Sequence, residues 1–245
     1  MANKQIKRKK LHVIGILIPA VVVVLTAAFF IYTGVYYKAA PDALSALSGD
    51  DTVVVSETVD GWLFDGPSDD VLLIFYGGGK VEEEAYAPLM REIAEGGVDT
   101  YLVKMPFRLA VLDSGKADKV IASTSYDRYI VGGHSLGGSM AAYFAANEPN
   151  KVDGVVLCTA YATEKLDGRL KVVSAYGTQD GVLDFKNYED NKPNLPAGFT
   201  ELVIDGGNHS GFGCYGFQKG DGGAQIEQSA QRALTVSAVT EAFKE

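Results

Sequence analysis

The stretch "YIVGGHSLGGSMAAYFAA", Tyr129 to Ala146, constrains the fold more than any other part of this 245-residue chain. A β-branched apolar run passes through glycines and one serine, then straight into a run of small helix-forming residues. Short β-branched runs recur at Thr52–Val55, Val71–Phe75, Thr100–Lys104, Gly154–Leu157, Leu170–Ala175 and Glu201–Ile204, as well as Tyr129–Gly132. Helix-like segments lie between several of them, at Glu82–Ala94, Leu136–Ala146 and Asp184–Asp190, and Ala224–Phe243 closes the chain. Strands that alternate with helices predict a mostly parallel, doubly wound α/β sheet covered on both faces. In such sheets ligands bind beyond the carboxyl ends of the strands, so the loops after each strand are the ones to inspect.

Gly133-His134-Ser135-Leu136-Gly137 fits G-x-S-x-G, the turn that holds a nucleophilic serine above a sheet. Side chains two positions either side of the serine would collide in so tight a turn, hence glycine at 133 and 137. A serine nucleophile needs a base, and the chain has three histidines. His12 lies in an apolar block, and the elbow turns the side chain of His134 away from that of its neighbour. His209 is left, in "VIDGGNHSGFG" just after the strand run ending at Ile204. The order Ser…Asp/Glu…His then asks for a carboxylate between them. Asp180 fits best, in the glycine-flanked loop after Tyr176. Asp184 reads as the N-cap of the next helix, and Asp205 would break the usual order.

An oxyanion hole needs two donors. The N–H of Leu136 starts the helix after the serine, and the second is expected from Gly78 or Gly79 in "LLIFYGGGKVEEEAY". Walker A spacing is absent there, since Val81 follows Lys80, so this is not read as a phosphate loop. Glu82–Glu84 read as favourable charge in a helix's first turn rather than as metal ligands.

From the strand before Gly77 through Ser135 and Asp180 to His209 and the final helix, these residues resemble the α/β-hydrolase superfamily. The tail "GGNHSGFGCYGFQKGDGGA" and the stretch "YLVKMPFRLAV" are similar to a subgroup of small bacterial esterase-like or dienelactone-hydrolase-like proteins. Dienelactone hydrolases proper use a cysteine nucleophile, whereas the elbow here holds serine. The resemblance implies a Ser135–His209–Asp180 triad acting through an acyl-enzyme, with no metal or organic cofactor. Amide cleavage or acyl transfer would use the same residues, and a non-catalytic surface binding protein on this fold is the rival from another class. Cys158 to Leu170 leaves about a dozen residues, typical of an ordinary connection and too few for a capping domain, so the site is expected to be open, without a lid. Phe212, Tyr215 and Phe217 suit either a ligand wall or packing beneath the triad. Asn208-His209-Ser210 matches a glycosylation sequon by chance.

Leu11–Tyr32 carries no charge and would span roughly 33 Å as a helix, enough to cross a bilayer core. Lys4, Lys7, Arg8, Lys9 and Lys10 precede it, which predicts a single-pass plasma-membrane anchor with a cytoplasmic N-terminus and an extracytoplasmic domain. A cleaved signal peptide fits less well, because the apolar run continues past Thr26-Ala27-Ala28. The expected layout is a basic segment at 1–10, an anchor at 11–37, a linker at 38–51 and the hydrolase domain at 52–245. Beyond Tyr37 the chain holds 17 basic against 31 acidic residues, a net of −14, which makes polyanions such as nucleic acid improbable partners. The expected partner is instead a small-molecule or envelope-attached ester. Cys158 and Cys214 form no CxxC pair, and their separation in sequence does not fix whether they can bridge.

Overall fold

The computed structural model describes residues 2–68 and 70–244, with side chains from Leu17 onward apart from Asp69. It divides between Tyr36 and Tyr37 into two units. The first is one helix, α1 (Ala2–Gly34), with Pro19 inside it. Its stretch Leu17–Gly34 has a mean hydropathy of 2.2 and, at 1.5 Å per residue, runs about 27 Å, long and apolar enough to cross a membrane. Leu25, Phe30 and Ile31 on it are exposed. The basic cluster at residues 4–10 and His12 lie outside the described side chains.

The second unit starts on the body of the domain rather than hanging free of it. Tyr37 N–H donates to Lys80 O, Ala40 N–H donates to Cys214 O, and a short helix, α2 (Pro41–Ser45), buries Ala43. The elements that follow are β1 (Val54–Glu57), β2 (Gly61–Asp65), β3 (Val71–Tyr76), α3 (Ala87–Glu95), β4 (Asp99–Val103), α4 (Ala117–Ser123), β5 (Arg128–His134) and α5 (Leu136–Asn147). After them come β6 (Gly154–Cys158), β7 (Lys171–Gly177), α6 (Phe185–Asn191), β8 (Thr200–Ile204) and α7 (Gln228–Phe243).

The eight strands form one sheet in the order β1-β2-β4-β3-β5-β6-β7-β8. β1–β2 and β2–β4 pair antiparallel, and every other pair is parallel. β3 is buried along its whole length, and its period-2 alternation splits the core. Leu73 and Phe75 face the layer of α3 and α7 with Leu89, Ile93 and Phe243, whereas Leu72, Ile74 and Tyr76 face Val120, Ala141 and Phe144 of α4 and α5.

Some boundaries differ from those read in the sequence. The first strand is shifted to Val54–Glu57, and its partner "GWLFD" escapes periodicity because Gly61 and three large residues give no alternation. α4 is likewise absent from the sequence reading. The segment after the triple glycine begins as a 3-10 turn, Glu83–Tyr86, before α3. The last helix starts at Gln228 instead of Ala224, because the Gln225 N–H is taken by Gly206 O. The Cys158–Lys171 connection is short and irregular, with no lid among the described residues.

Candidate active site

Ser135 sits between the last residue of β5 and the first of α5, with φ 53° and ψ −124°, a backbone conformation that costs of order 1–3 kcal/mol. The flanking glycines are sterically obligatory. A Cβ on Gly137 would lie 2.3 Å from both Gly77 O and Tyr76 O, and one on Gly133 would lie 2.5 Å from Tyr76 O. Packing of the elbow against the loop after β3 leaves no room for a side chain at either position.

A cleft of about 280 Å³ opens above the serine, lined by Ser135, Leu136, Thr159, Tyr161, Leu183 and His209 among others. His209 follows β8 and is buried. Its Nδ1 lies 3.0 Å from Asp180 Oδ2 and 3.2 Å from Oδ1. Asp180 follows β7, as the chain order requires. A carboxylate only accepts, so Nδ1 carries the proton and Nε2 presents a lone pair. That Nε2 is buried and has no hydrogen-bond partner; the Ser135 hydroxyl lines the same cleft without bonding to it.

Burial pushes the Asp180 carboxyl up, but the His209 hydrogen bond and charge, the Leu183 N–H and the Thr159 hydroxyl outweigh it and hold the group below the usual carboxylate range. Val182 and Leu183 N–H each donate to Asp180 Oδ1 at 2.8 Å. Thr159 Oγ1 donates to Asp180 Oδ2 and lies 3.3 Å from His209 Nδ1. Its φ of 49° is rare for a β-branched residue, and nothing in the sequence marks it. Asp184 caps α6 as expected, accepting from Asn187 N–H at 3.0 Å. Asp205 instead accepts from the Thr178 hydroxyl.

The two glycines considered as oxyanion donors are not equivalent. Gly78 N–H donates to the Tyr86 hydroxyl at 2.9 Å, so it is committed to the interior. Neither Gly79 N–H nor Leu136 N–H has an acceptor among the described residues, and a Cβ on Gly79 would lie 3.0 Å from Leu136 Cδ2. Gly79 and Leu136 are therefore the adjacent pair with free donors.

His134 stays out of the cleft, but it does more than fill space. Tyr86 Oη is 2.9 Å from His134 Nδ1, and His134 Nε2 is 3.0 Å from His209 O. A carbonyl only accepts, so Nε2 bears the hydrogen and Tyr86 donates to Nδ1. Burial, then the neighbouring His209, holds His134 neutral, well below the ordinary imidazole range. A buried chain thus runs from the glycine loop through Tyr86 and His134 to the His209 backbone. Phe212 and Tyr215 pack against His134, whereas Phe217 is exposed, so the first two lie beneath the site. The Asn208 side chain donates to Gly222 O and is buried, which leaves the sequon closed. Cys158 and Cys214 are unpaired.

A mostly parallel sheet with a serine on a strand-to-helix elbow, and an Asp–His pair over the ends of β7 and β8, defines the hydrolase class of α/β proteins. Residues 72–233 match the family model described as the Alpha/beta hydrolase family, and the chain belongs to that family as a hydrolase. No curated protein sequence matches it. Three solved structures illustrate the shared fold. TT1662 from Thermus thermophilus is 13% identical with a TM-score of 0.58, covering 79% of this chain and 99% of its own. A dienelactone hydrolase from Anabaena variabilis is 15% identical with a TM-score of 0.53, covering 79% and 98%. Est1E from Butyrivibrio proteoclasticus is 14% identical with a TM-score of 0.54, covering 80% and 100%.

Proposed function

We propose that the protein is a membrane-anchored serine esterase acting outside the cytoplasm through Ser135, His209 and Asp180. The observation that carries the reading is the buried, unpartnered Nε2 of an imidazole whose Nδ1 is tied to a carboxylate, in the cleft that also holds the elbow serine. An orphaned acceptor in the interior is unfavourable unless it has a task, and taking a proton from Ser135 is that task. Contacts of this kind tighten when substrate arrives.

Ser135 Oγ attacks the acyl carbonyl as its proton passes to His209 Nε2. The oxyanion is met by the N–H groups of Leu136 and Gly79, the former at the positive end of α5. His209 then protonates the departing alcohol, and Asp180 stabilises the imidazolium in between. Water, activated by the same nitrogen, releases the acid and restores Ser135. A cleft of about 280 Å³ suits short acyl groups or exposed esters on larger molecules.

The anchor is α1, left uncleaved. The basic residues at its start, ahead of the apolar stretch, set the N-terminus on the cytoplasmic side, and the acidic domain lies on the other. A fluorophosphonate probe tests the chemistry: Ser135 should be labelled in the wild type and not in Ser135→Ala, and no adduct on Ser135 would refute the mechanism. p-Nitrophenyl acetate should outpace esters of long acids; the reverse order would refute the small cleft as the acyl site. Protease shaving of intact cells that spares the domain would refute the topology.

A further inference from the structure

The tail motif Gly220-Asp221-Gly222 has no part in the triad, yet its carboxylate is among the most heavily hydrogen-bonded side chains of the molecule. Asp221 Oδ1 accepts from His209 N–H at 3.1 Å, Gly181 N–H at 3.2 Å and its neighbour Gly222 N–H at 2.8 Å. Oδ2 accepts from Ser210 N–H at 2.8 Å and from Ser210 Oγ at 2.6 Å. One carboxylate therefore grips the backbone next to Asp180 and the backbone of His209 itself. The glycines around it have steric reasons. A Cβ on Gly222 would lie 1.9 Å from Gln179 O, and one on Gly181 would lie 2.6 Å from Gly220 O. The strap thus lies directly on the acid loop, and Gly222 O accepts from the Asn208 side chain on the base loop at 2.8 Å.

We infer that Asp221 is a positioning residue, a carboxylate clamp that joins the loop of the acid to the loop of the base and so fixes the His209–Asp180 geometry. This rests on the Ser135–His209–Asp180 reading above. The two loops are also joined by the bonds of Thr178 to Ile204 O, Asp205 and Gly206 N–H, by the Gln179 N–H to Gly207 O bond, by the contacts of Thr159 and by the His209–Asp180 pair itself. None of the Thr178, Gln179 or Thr159 contacts holds the His209 main chain. Bonds to an ionised acceptor are shorter and stronger than neutral ones, which suits a clamp between two loops.

The test uses the full chain in detergent micelles, as wild type, Asp221→Ala, Asp221→Asn and Ser210→Ala. Three quantities are read: kcat and KM on p-nitrophenyl acetate per folded molecule, the melting temperature, and the low-field Nδ1 proton resonance of His209. Asp221→Ala should lower kcat by about 10²-fold with KM within twofold, the expected result of displacing a catalytic group by about 1 Å, and should abolish or broaden the resonance. Asp221→Asn keeps one oxygen for the Gly181, His209 and Gly222 donors but turns an NH₂ toward Ser210 N–H, so its loss should be intermediate. Ser210→Ala removes one bond of five and should lose less than tenfold. If Asp221→Ala does not fold, the other two variants carry the test. Variants that melt lower yet keep wild-type kcat and the resonance would overturn the clamp. A wild type that neither turns over ester nor labels at Ser135 would sink the esterase reading instead, and the resonance would still report on the clamp.

Discussion

Tyr86→Phe removes one hydroxyl and, by the geometry, two hydrogen bonds. The Gly78 N–H and His134 Nδ1 both lose their partner, and Tyr86 and His134 are fully buried. A Cβ on Gly78 would lie 2.8 Å from Tyr86 Oη and 2.6 Å from His134 Nδ1, so the three groups are close-packed. The void left by one hydroxyl is smaller than a water molecule, and no solvent can replace it. Leaving a buried polar group unsatisfied costs about 1–3 kcal/mol, so two such groups predict a loss of about 2–6 kcal/mol. For a domain of about 200 residues, a loss of about 3 kcal/mol within that range is a fall in Tm of roughly 6–12 °C. Near-UV circular dichroism of the full chain in micelles would follow the melt. The same change loosens the loop that carries Gly79, so kcat on p-nitrophenyl acetate should fall about tenfold or more with little change in KM. A Tm within about 2 °C of wild type, with unchanged kcat, would refute the hydrogen-bond chain from the glycine loop to the base.

Other outcomes follow from the same geometry. His134 is held neutral by burial, so below pH 6.5 the unfolded chain takes up a proton that the folded one refuses. Stability from this group is intact above pH 6.5 and declines below it by about 1.4 kcal/mol per pH unit until the folded-state value is reached. His134→Gln keeps a donor for His209 O and an acceptor for Tyr86, and urea titrations across pH 5–8 should show a flatter slope; an identical slope would count against the assignment. Asp180→Asn should cut kcat by about 10⁴-fold through the wrong imidazole tautomer, and Thr159→Val should cut it far less; equal losses from the two would contradict the assigned roles. Cys158 is buried and its thiol is pushed up to about 12, so a disulfide reagent should titrate it only after denaturation. Rapid modification in the native protein would show that β6 is not packed as described.

Much of the site is legible along the chain because its constraints are local. The elbow is five consecutive residues between a strand pattern and a helix pattern, and its glycines are demanded by backbone only a few ångströms away. The order of Ser135, Asp180 and His209 follows from a sheet in which each strand end delivers one loop. β2 and α4 were not legible, since one lacks alternation and the other is a single short amphipathic stretch whose existence depends on what it covers.

By itself, then, the sequence determined a mostly parallel α/β sheet, a serine on its elbow with His209 as the candidate base, and an apolar helix ahead of them all. Packing decided the rest. It committed the Gly78 N–H to Tyr86 and left Gly79 open, turned His134 into a link to the His209 backbone, bent Thr159 onto Asp180 and brought Asp221 between two loops. Those partners lie 8 to 75 residues apart in sequence, and hydrogen bonding is a matter of a few tenths of an ångström in space. Residue pattern fixes which face of an element is buried, but only the assembled layers fix which buried polar atom meets which.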